Sequence, residues 1–248
     1  MTGCDRQVRA CGPARSTACF ESWGEPILVP HSCHSTLGVD VGSRRAGWWG
    51  IAFVVVLFVY GGMVSVPTSE SSAQQIQAFY ADHRSVIVID QVLGILAIPL
   101  FVFFAVALAR QLDTRGTGAG RWIIAAGILV VLANLGTVVP PLWLALVSHP
   151  SAGLARTLAR AADLTDAALF AAIAVFAFVV FLAVQAPWLR GLCLIVAILA
   201  LVRAVASPLG VATFDTVAPL AFLALVLLLG VLMLRGLASP GTHSAAST

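Results

Sequence analysis

The chain has 248 residues, of which 60% are hydrophobic and 10% are charged, and its formal net charge at pH 7 is +3. At a mean hydropathy of +0.98, it carries more apolar surface than the core of one soluble domain buries, so this surface has to face lipid. The small net charge and the lack of a basic patch exclude a nucleic-acid-binding protein. We therefore expect an integral membrane protein whose partner is the lipid bilayer.

Six apolar segments, each long enough to cross a bilayer, are joined by short polar turns. A membrane-spanning helix needs about 20 residues at a rise of about 1.5 Å per residue. Strands of a membrane β-barrel would alternate in polarity, whereas residues 51–60 and 221–234 are apolar on every side. The sequence therefore predicts an all-α fold, an integral membrane six-helix bundle. The predicted spans are residues 48–66, 86–109, 121–147, 164–185, 188–207 and 216–236.

Composition divides the chain into a membrane domain, residues 46–236, and two polar ends. The first end, residues 1–45, has no apolar period and is predicted to be a disordered cytoplasmic segment. An alternative is a translation start near Val39 or Val41, which would leave the first span as an uncleaved signal anchor. The tail, residues 237–248, is rich in Ser, Ala and Gly and is also predicted to be disordered and cytoplasmic.

Four of the five cysteines lie in the N-terminal segment, and His31 and His34 are close to the last of them. Structural zinc sites use cysteine pairs roughly two to four residues apart, whereas six, seven and thirteen residues separate these cysteines. A cytoplasmic location also disfavours disulfides. We therefore predict no metal site and no cofactor in this segment. The four cysteines are Cys4, Cys11, Cys19 and Cys33.

Two segments between spans are predicted to form short amphipathic helices on the outer membrane surface. In the first, residues 71–84, Ser71 and Gln74 have the spacing of a capping box, and Tyr80 is expected at the depth of the lipid headgroups. The second begins after Pro150. Each helix either rests on lipid or forms a lid over a cleft. The first has an apolar face of Ile76, Phe79, Tyr80 and His83; in the second, Leu154 and Leu158 share one face and Arg156 and Arg160 another.

The third predicted span contains Pro140 and Pro141. At about 27 residues it is longer than a hydrocarbon core of about 30 Å requires. Because proline removes a backbone donor and clashes with the preceding turn, this span should tilt, kink or end early. A re-entrant tip is the remaining alternative.

Orientation follows from arginine, because all 14 basic residues are Arg and the chain has no lysine. Positively charged residues collect on the cytoplasmic side, and seven of the placed arginines fall on one side against three on the other. Both termini are therefore predicted to be cytoplasmic. The lack of lysine also suggests a high-GC bacterial genome and hence the bacterial plasma membrane. The seven are Arg44, Arg45, Arg110, Arg115, Arg121, Arg190 and Arg235, and the three are Arg84, Arg156 and Arg160.

Two ionisable residues, Asp90 and Arg203, fall inside predicted spans, where a charge is costly unless it is paired or hydrated. Both lie about five residues from the outer ends of their spans. We therefore predict that they form an ion pair, with Gln91 as an extra partner. Three roles remain open for them: a structural ion pair, a substrate or ion site, and separate side chains that reach the interface.

Further titratable residues fall on the predicted outer side. Acidic residues near helix starts are stabilised by the helix dipole and by capping, which explains them without a function. The functional alternative is an outer polar vestibule. This candidate cluster consists of Asp82, His83, Arg84, Asp163, Asp166 and Asp215.

Catalytic and cofactor motifs are missing from the sequence. No histidine lies in a predicted span, which excludes a haem with two histidine ligands inside the bundle. HExxH, GxSxG and GxxxxGK[ST] are also lacking. We therefore predict no catalytic residue and no cofactor, and Cys193 among its apolar neighbours is predicted to serve packing.

Four stretches of the chain carry a family resemblance. They are AQQIQAFYADHR at residues 73–84, LAR at 108–110, DAALF at 166–170 and PWLR at 187–190. In these stretches the chain resembles a group of bacterial multi-pass membrane proteins of unknown function. The resemblance implies a six-span plasma-membrane protein and brings no activity or site residue with it.

Three functions remain as hypotheses. An accessory or sensing membrane protein ranks first, because no pair of interrupted helices marks a transport site. A small-solute permease would need a cavity near the midplane that reaches Asp90, Arg203 or Asn134. The third hypothesis is an enzyme that acts on lipid at the outer surface, in the region of Asp82, His83, Asp163 and Asp166.

Overall fold

A computed structural model describes residues 39–63, 67, 71–113, 118–147, 150–209 and 216–235. Nearly all of these residues are helical, which confirms the predicted all-α fold. The elements are α1 (Val39–Met63), α2 (Ala73–Asp82), α3 (Arg84–Leu112), α4 (Ala119–Leu146), α5 (Ala152–Ala183), α6 (Pro187–Ala206), a 3₁₀ turn (Ser207–Leu209) and α7 (Val217–Leu234). The cysteine-bearing segment and the C-terminal tail lie outside the described residues.

The five helices α3 to α7 are long and apolar enough to cross a membrane. Their outward faces carry large apolar side chains such as Phe103, Leu132 and Leu182, each more than half exposed. Such a surface suits hydrocarbon and not water, and the chain is therefore a multi-pass integral membrane protein. In α1 the described apolar stretch, Gly47–Tyr60, is shorter than the other five.

The six long helices pack into a closed ring. Going round it, α1 packs against α3, then follow α4, α5, α6 and α7, and α7 returns to α1. Short connections make successive helices antiparallel, so α1, α4 and α6 end where α3, α5 and α7 begin. The short helix α2 lies at that end of the ring, which we call the α2 end.

Helices α1 and α7 approach each other at a pair of glycines. A Cβ atom added to Gly47 would lie 2.5 Å from the backbone oxygen of Gly230, so no side chain fits between the two backbones. Small residues allow this kind of close helix packing in membranes. The contact closes the ring between its first and last helices.

Helix α2 packs on the bundle through its apolar face. Its capping box uses Ser72 and Gln75, one residue later than predicted: the Ser72 backbone N–H donates to Gln75 Oε1 (3.0 Å) and the Gln75 backbone N–H to Ser72 Oγ (3.3 Å). The side chains of Ile76 and Tyr80 are buried against residues of α3, α4 and α5, including Ala155. The Tyr80 ring is thus packed in a pocket of the protein, and its location at the depth of the lipid headgroups stays a prediction.

No separate second amphipathic helix forms in the described residues after Pro150. Ser151 caps the N-terminus of α5 by accepting a hydrogen bond from the Leu154 N–H (3.3 Å), and α5 then continues without a break for 32 residues. The sequence between the predicted short helix and the predicted span contains no proline and no turn that would end a helix. The predicted span 164–185 is thus only the later part of one longer helix.

The proline pair does not end α4 early. The helix continues through Pro140 and Pro141, both buried, to Leu146. Its last turn gains a donor from outside, because Arg84 Nη2 donates to the Leu146 backbone oxygen (3.1 Å). A further interior proline, Pro99, lies in α3, where it removes the donor to a carbonyl one turn earlier.

Candidate functional site: a cavity inside the helix ring

The ring surrounds a cavity of about 260 Å³. Close-packed protein interiors rarely hold voids larger than one water molecule, whereas this volume equals that of about nine waters at ~30 Å³ each. Each of the six long helices contributes to its lining. The described lining residues are Phe53, Leu57, Tyr60, Ala97, Ile98, Phe101, Val130, Val131, Asn134, Thr137, Asp166, Leu169, Phe170, Ile173, Arg203, Pro219, Phe222 and Leu223.

The polar lining residues lie together towards the α2 end. Helices α1, α4 and α6 run towards that end, and their polar residues follow the apolar ones, as Asn134 and Thr137 follow Val130 on α4. Helix α5 runs the other way, and there Asp166 precedes Ile173. The cavity therefore has a polar layer nearer the α2 end and an apolar layer deeper in the bundle. The polar layer consists of Tyr60, Asn134, Thr137, Asp166 and Arg203.

Aromatic rings form the deep end of the cavity. The ring centroids of Phe53 and Phe101 lie 5.2 Å apart, and each lies 6.3 Å from that of Phe222. Behind them, Phe101 contacts the fully buried Phe104 and Phe176 at 6.4 Å and 5.3 Å. These tilted and edge-to-face rings fill the bundle below the cavity.

Arg203 is bound at the polar layer by Asp166 and Phe170. Its Nη2 donates to Asp166 Oδ2 at 3.0 Å, and its guanidinium carbon lies 4.5 Å from the centroid of the Phe170 ring. Arg203 is the more deeply buried partner, with 12% of its side chain exposed against 33% for Asp166. Both side chains line the cavity, so they present a donor and an acceptor to its interior.

This pair corrects the predicted ion pair between Arg203 and Asp90. The prediction compared depths alone, but α3 and α6 lie on opposite sides of the ring, whereas α5 and α6 are neighbours. The short turn between α5 and α6 could have indicated the true partner. Asp166 lies 17 residues before the end of α5 at Ala183, and Arg203 lies 16 residues after the start of α6 at Pro187. A sharp turn places two such positions at the same level.

Asp90 and Gln91 are buried on α3, with 6% and 2% of their surfaces exposed. Gln91 Nε2 donates to Asp90 Oδ2 at 3.1 Å, so the amide predicted as an extra partner contacts the carboxylate. Asp90 Oδ1 has no hydrogen-bond partner among the residues that the structure describes. Neither residue lines the cavity, although Tyr60, which does, packs over Gly94 one turn further along α3.

The described residues of the predicted outer cluster lie in different surroundings. Asp82 and His83 are exposed, and the His83 ring stacks on Phe79 at 4.7 Å and hydrogen-bonds the Phe79 backbone oxygen. Arg84 binds the end of α4, and Asp166 belongs to the cavity. Burial raises the pKa of the Tyr80 hydroxyl, and the nearby charge of Asp163 raises it further. Asp215 lies outside the described residues.

Cysteine and metal-binding residues form no further site in the part of the chain that the structure describes. Cys193 is buried in α6 among apolar side chains, consistent with a packing role. Within the described ranges, no three residues of the types His, Cys, Asp and Glu lie close enough together to hold a metal ion. Cys4, Cys11, Cys19 and Cys33 lie outside those ranges.

Fold and site together define a multi-pass helical membrane protein whose helix ring encloses a cavity with a polar layer near the α2 end. The chain matches no protein-family model, no curated protein and no solved structure. The resemblance to a bacterial membrane-protein family therefore stays a prediction.

Proposed function

We propose that this protein spans the membrane six times and binds a small solute inside the helix ring, as a small-solute permease. The observation that carries the proposal is the cavity, which is lined by every long helix and holds Arg203, Asp166 and Asn134 at its polar layer. Sites for small molecules in helix bundles are mostly apolar and contain a few polar groups. An accessory protein with a packed interior, which the sequence favoured, needs no such space.

The sixth span in this proposal is α1. It is 25 residues long and packs between α3 and α7 in the ring. Its apolar sequence begins at Gly47 and continues to Val66, about the 20 residues that a span requires. Its exposed residues Trp48 and Trp49 are typical of a membrane interface.

Orientation in the proposal follows from the arginines. Arg110, Arg121, Arg190 and Arg235 lie at helix ends opposite to the α2 end, and Arg84, Arg156 and Arg160 lie at the α2 end. The positive-inside rule then favours cytoplasmic termini and an α2 end that faces outward. We propose that this membrane is a bacterial plasma membrane and that solute enters the cavity from outside.

Thiol labelling in intact cells tests the proposal. In a background without native cysteines, Thr137→Cys puts a thiol in the polar layer, and Ala177→Cys puts one in the fully buried core. Gly153→Cys and Gly191→Cys are matched controls at the two ends, because an added Cβ meets no described atom within 4 Å at either position. A membrane-impermeant maleimide should label the thiols at positions 137 and 153 but not the thiol at 177, and should label the thiol at 191 only after permeabilisation.

Two outcomes of the labelling contradict the proposal. If the thiol at position 137 is protected while that at 153 reacts, the cavity does not open to the outside. If the thiol at 191 reacts in intact cells and that at 153 does not, the orientation is reversed.

A sensing protein is the second candidate function, and the aromatic cluster favours it. The packed rings of Phe53, Phe101 and Phe222 close the deep end of the cavity, so the described residues form a site for a solute without a passage through the ring. Flux of a bound solute into proteoliposomes would favour a permease, and saturable binding without flux would favour a sensor. The lipid-acting enzyme gains no support, because Asp82 and His83 are exposed at the end of α2, whereas Asp166 lines the cavity.

A further inference from the structure

We infer that the cavity selects a solute that carries no net charge, with an aromatic or similarly flat apolar body and a head group that both donates and accepts hydrogen bonds, as a carboxamide does. This inference rests on the proposed solute binding and names the class of solute.

Charge is the first step of the argument. Of the described side chains that line the cavity, two are charged, Arg203 and Asp166, and they have opposite signs and bind each other. Moving an ion from water into a low-dielectric site is costly unless an opposite charge awaits it. A solute with net charge would meet a pair whose charges already compensate one another, whereas a neutral solute avoids this cost.

Hydrogen-bonding chemistry is the second step. A guanidinium group only donates and a carboxylate only accepts, so Arg203 and Asp166 place both functions side by side at 3.0 Å. Asp166 lines the cavity, and a third of its side chain is exposed. A carboxamide offers a carbonyl oxygen to the arginine and an N–H to the aspartate. A carboxylate has no donor for the aspartate, and an amidinium has no acceptor for the arginine.

The deep layer determines the body of the solute. Phe53, Phe101 and Phe222 line this layer, and their ring centroids lie 5.2 to 6.3 Å from one another; the Phe53 and Phe222 rings meet edge to face at 83°. Aromatic rings prefer offset or edge-to-face neighbours at these spacings, so a further ring fits the pattern. The polar and apolar layers together require one amphipathic molecule with its head towards the α2 end.

Three small probes of nearly the same shape test the inference: neutral benzamide, anionic benzoate and cationic benzamidine. Equilibrium dialysis measures the binding of each labelled probe to the full-length protein in lipid nanodiscs, with empty nanodiscs as the baseline for partition into lipid. We expect saturable binding of benzamide about tenfold tighter than that of either ion, because benzamide offers both a donor and an acceptor to the pair whereas each ion offers only one of them.

Removing one charge of the pair should change this preference predictably. Arg203→Gln leaves Asp166 as the charged group at the cavity and should make benzamidine the tightest probe, and Asp166→Asn should do the same for benzoate. Preference of the unaltered protein for an ion would overturn the inference. The order of affinities of the three probes is measured on the unaltered protein, so the test holds even where a charge variant fails to fold.

A pair of valine substitutions distinguishes failure of the inferred solute class from failure of the proposed function. Val131 lines the cavity, whereas Val139 on the same helix is 59% exposed on the outer surface of the ring. Val131→Phe should abolish binding of benzamide, and Val139→Phe should leave it unchanged. If none of the probes binds above the lipid baseline, or if Val131→Phe has no effect, the cavity is not the binding site and the proposed function fails with the inference.

Discussion

Arg203 shows how this protein accommodates a cation between apolar helices. Its guanidinium edge binds Asp166 and its face rests on Phe170, so both the charge and the flat surface have a partner. Arginine suits this double contact because its group is planar and weakly hydrated. Asp90 has a different environment, since Gln91, a neutral amide, is the group that donates to it.

The two carboxylates should therefore differ in their contribution to stability. Asp166→Asn weakens the partner of a buried cation and should lower the free energy of unfolding by about 1–3 kcal/mol. The buried Asp90 carboxylate has an Oδ1 without a partner among the described residues. Asp90→Asn replaces this carboxylate by a neutral group of the same shape and should not destabilise the protein. Thermal unfolding of both variants in one detergent measures the difference. Equal losses in the two variants would contradict the roles assigned to these residues.

Sequence reasoning singled out Arg203 and Asn134, which line the cavity, but it paired Arg203 with Asp90, whereas Asp166 binds it. Hydropathy identifies Arg203 because a charged residue stands out in an apolar run. Asn134 was named as a residue that the cavity of a permease would reach, and it lines the cavity. Asp166 was assigned to a helix start because the outer part of α5 was predicted as a separate helix. The partner of a charge depends on lateral helix order, which a single sequence encodes only weakly.

At the scale of elements, α3, α4, α6 and α7 were predicted within a few residues, whereas α1 and α5 begin about ten residues before their predicted spans. The predicted span 188–207 corresponds to α6 (Pro187–Ala206), and 121–147 corresponds to α4 (Ala119–Leu146). This agreement has a local physical cause, because each spanning helix must be apolar along its whole length and must satisfy its own backbone groups. The packing of α2 was missed, because a face that is apolar enough for lipid is equally suited to a protein pocket.

The contact between α1 and α7 gives a prediction at this scale. Gly47→Ala places a methyl group where the Gly230 backbone oxygen lies at 2.5 Å, so the two helices must separate, at a cost of about 1–3 kcal/mol. Gly191→Ala is the matched control, because no described atom lies within 4 Å of its added Cβ and alanine favours a helix by about 1 kcal/mol over glycine. Chemical unfolding in mixed micelles should therefore show a loss for Gly47→Ala and no loss for Gly191→Ala. A loss for both, or for neither, would contradict the close contact.

At the scale of the whole molecule, the ring order explains both the cavity and its polarity. Six antiparallel helices round one axis leave space at the centre unless large side chains fill it, and here phenylalanines fill the deep half only. The polar half lies at the α2 end because Arg203 is near the end of α6 and Asp166 precedes the apolar Ile173 along α5. Sequence reasoning specified what a permease would require, a cavity that reaches Asp90, Arg203 or Asn134, and the cavity is lined by the last two. It could not predict the cavity itself from helix lengths and polarity.

The most direct measurement of the central claim, a cavity within the ring, compares one substitution at two positions. Val131 lines the cavity, and Val180 is fully buried in the packed core beside it. Val180→Phe overpacks that core and should lower the free energy of unfolding by about 1–3 kcal/mol, whereas Val131→Phe has space to occupy and should leave it unchanged or raise it. Thermal unfolding of the two variants in the same nanodiscs gives the comparison. An equal loss of stability at both positions would mean that the interior is packed throughout and would contradict the account.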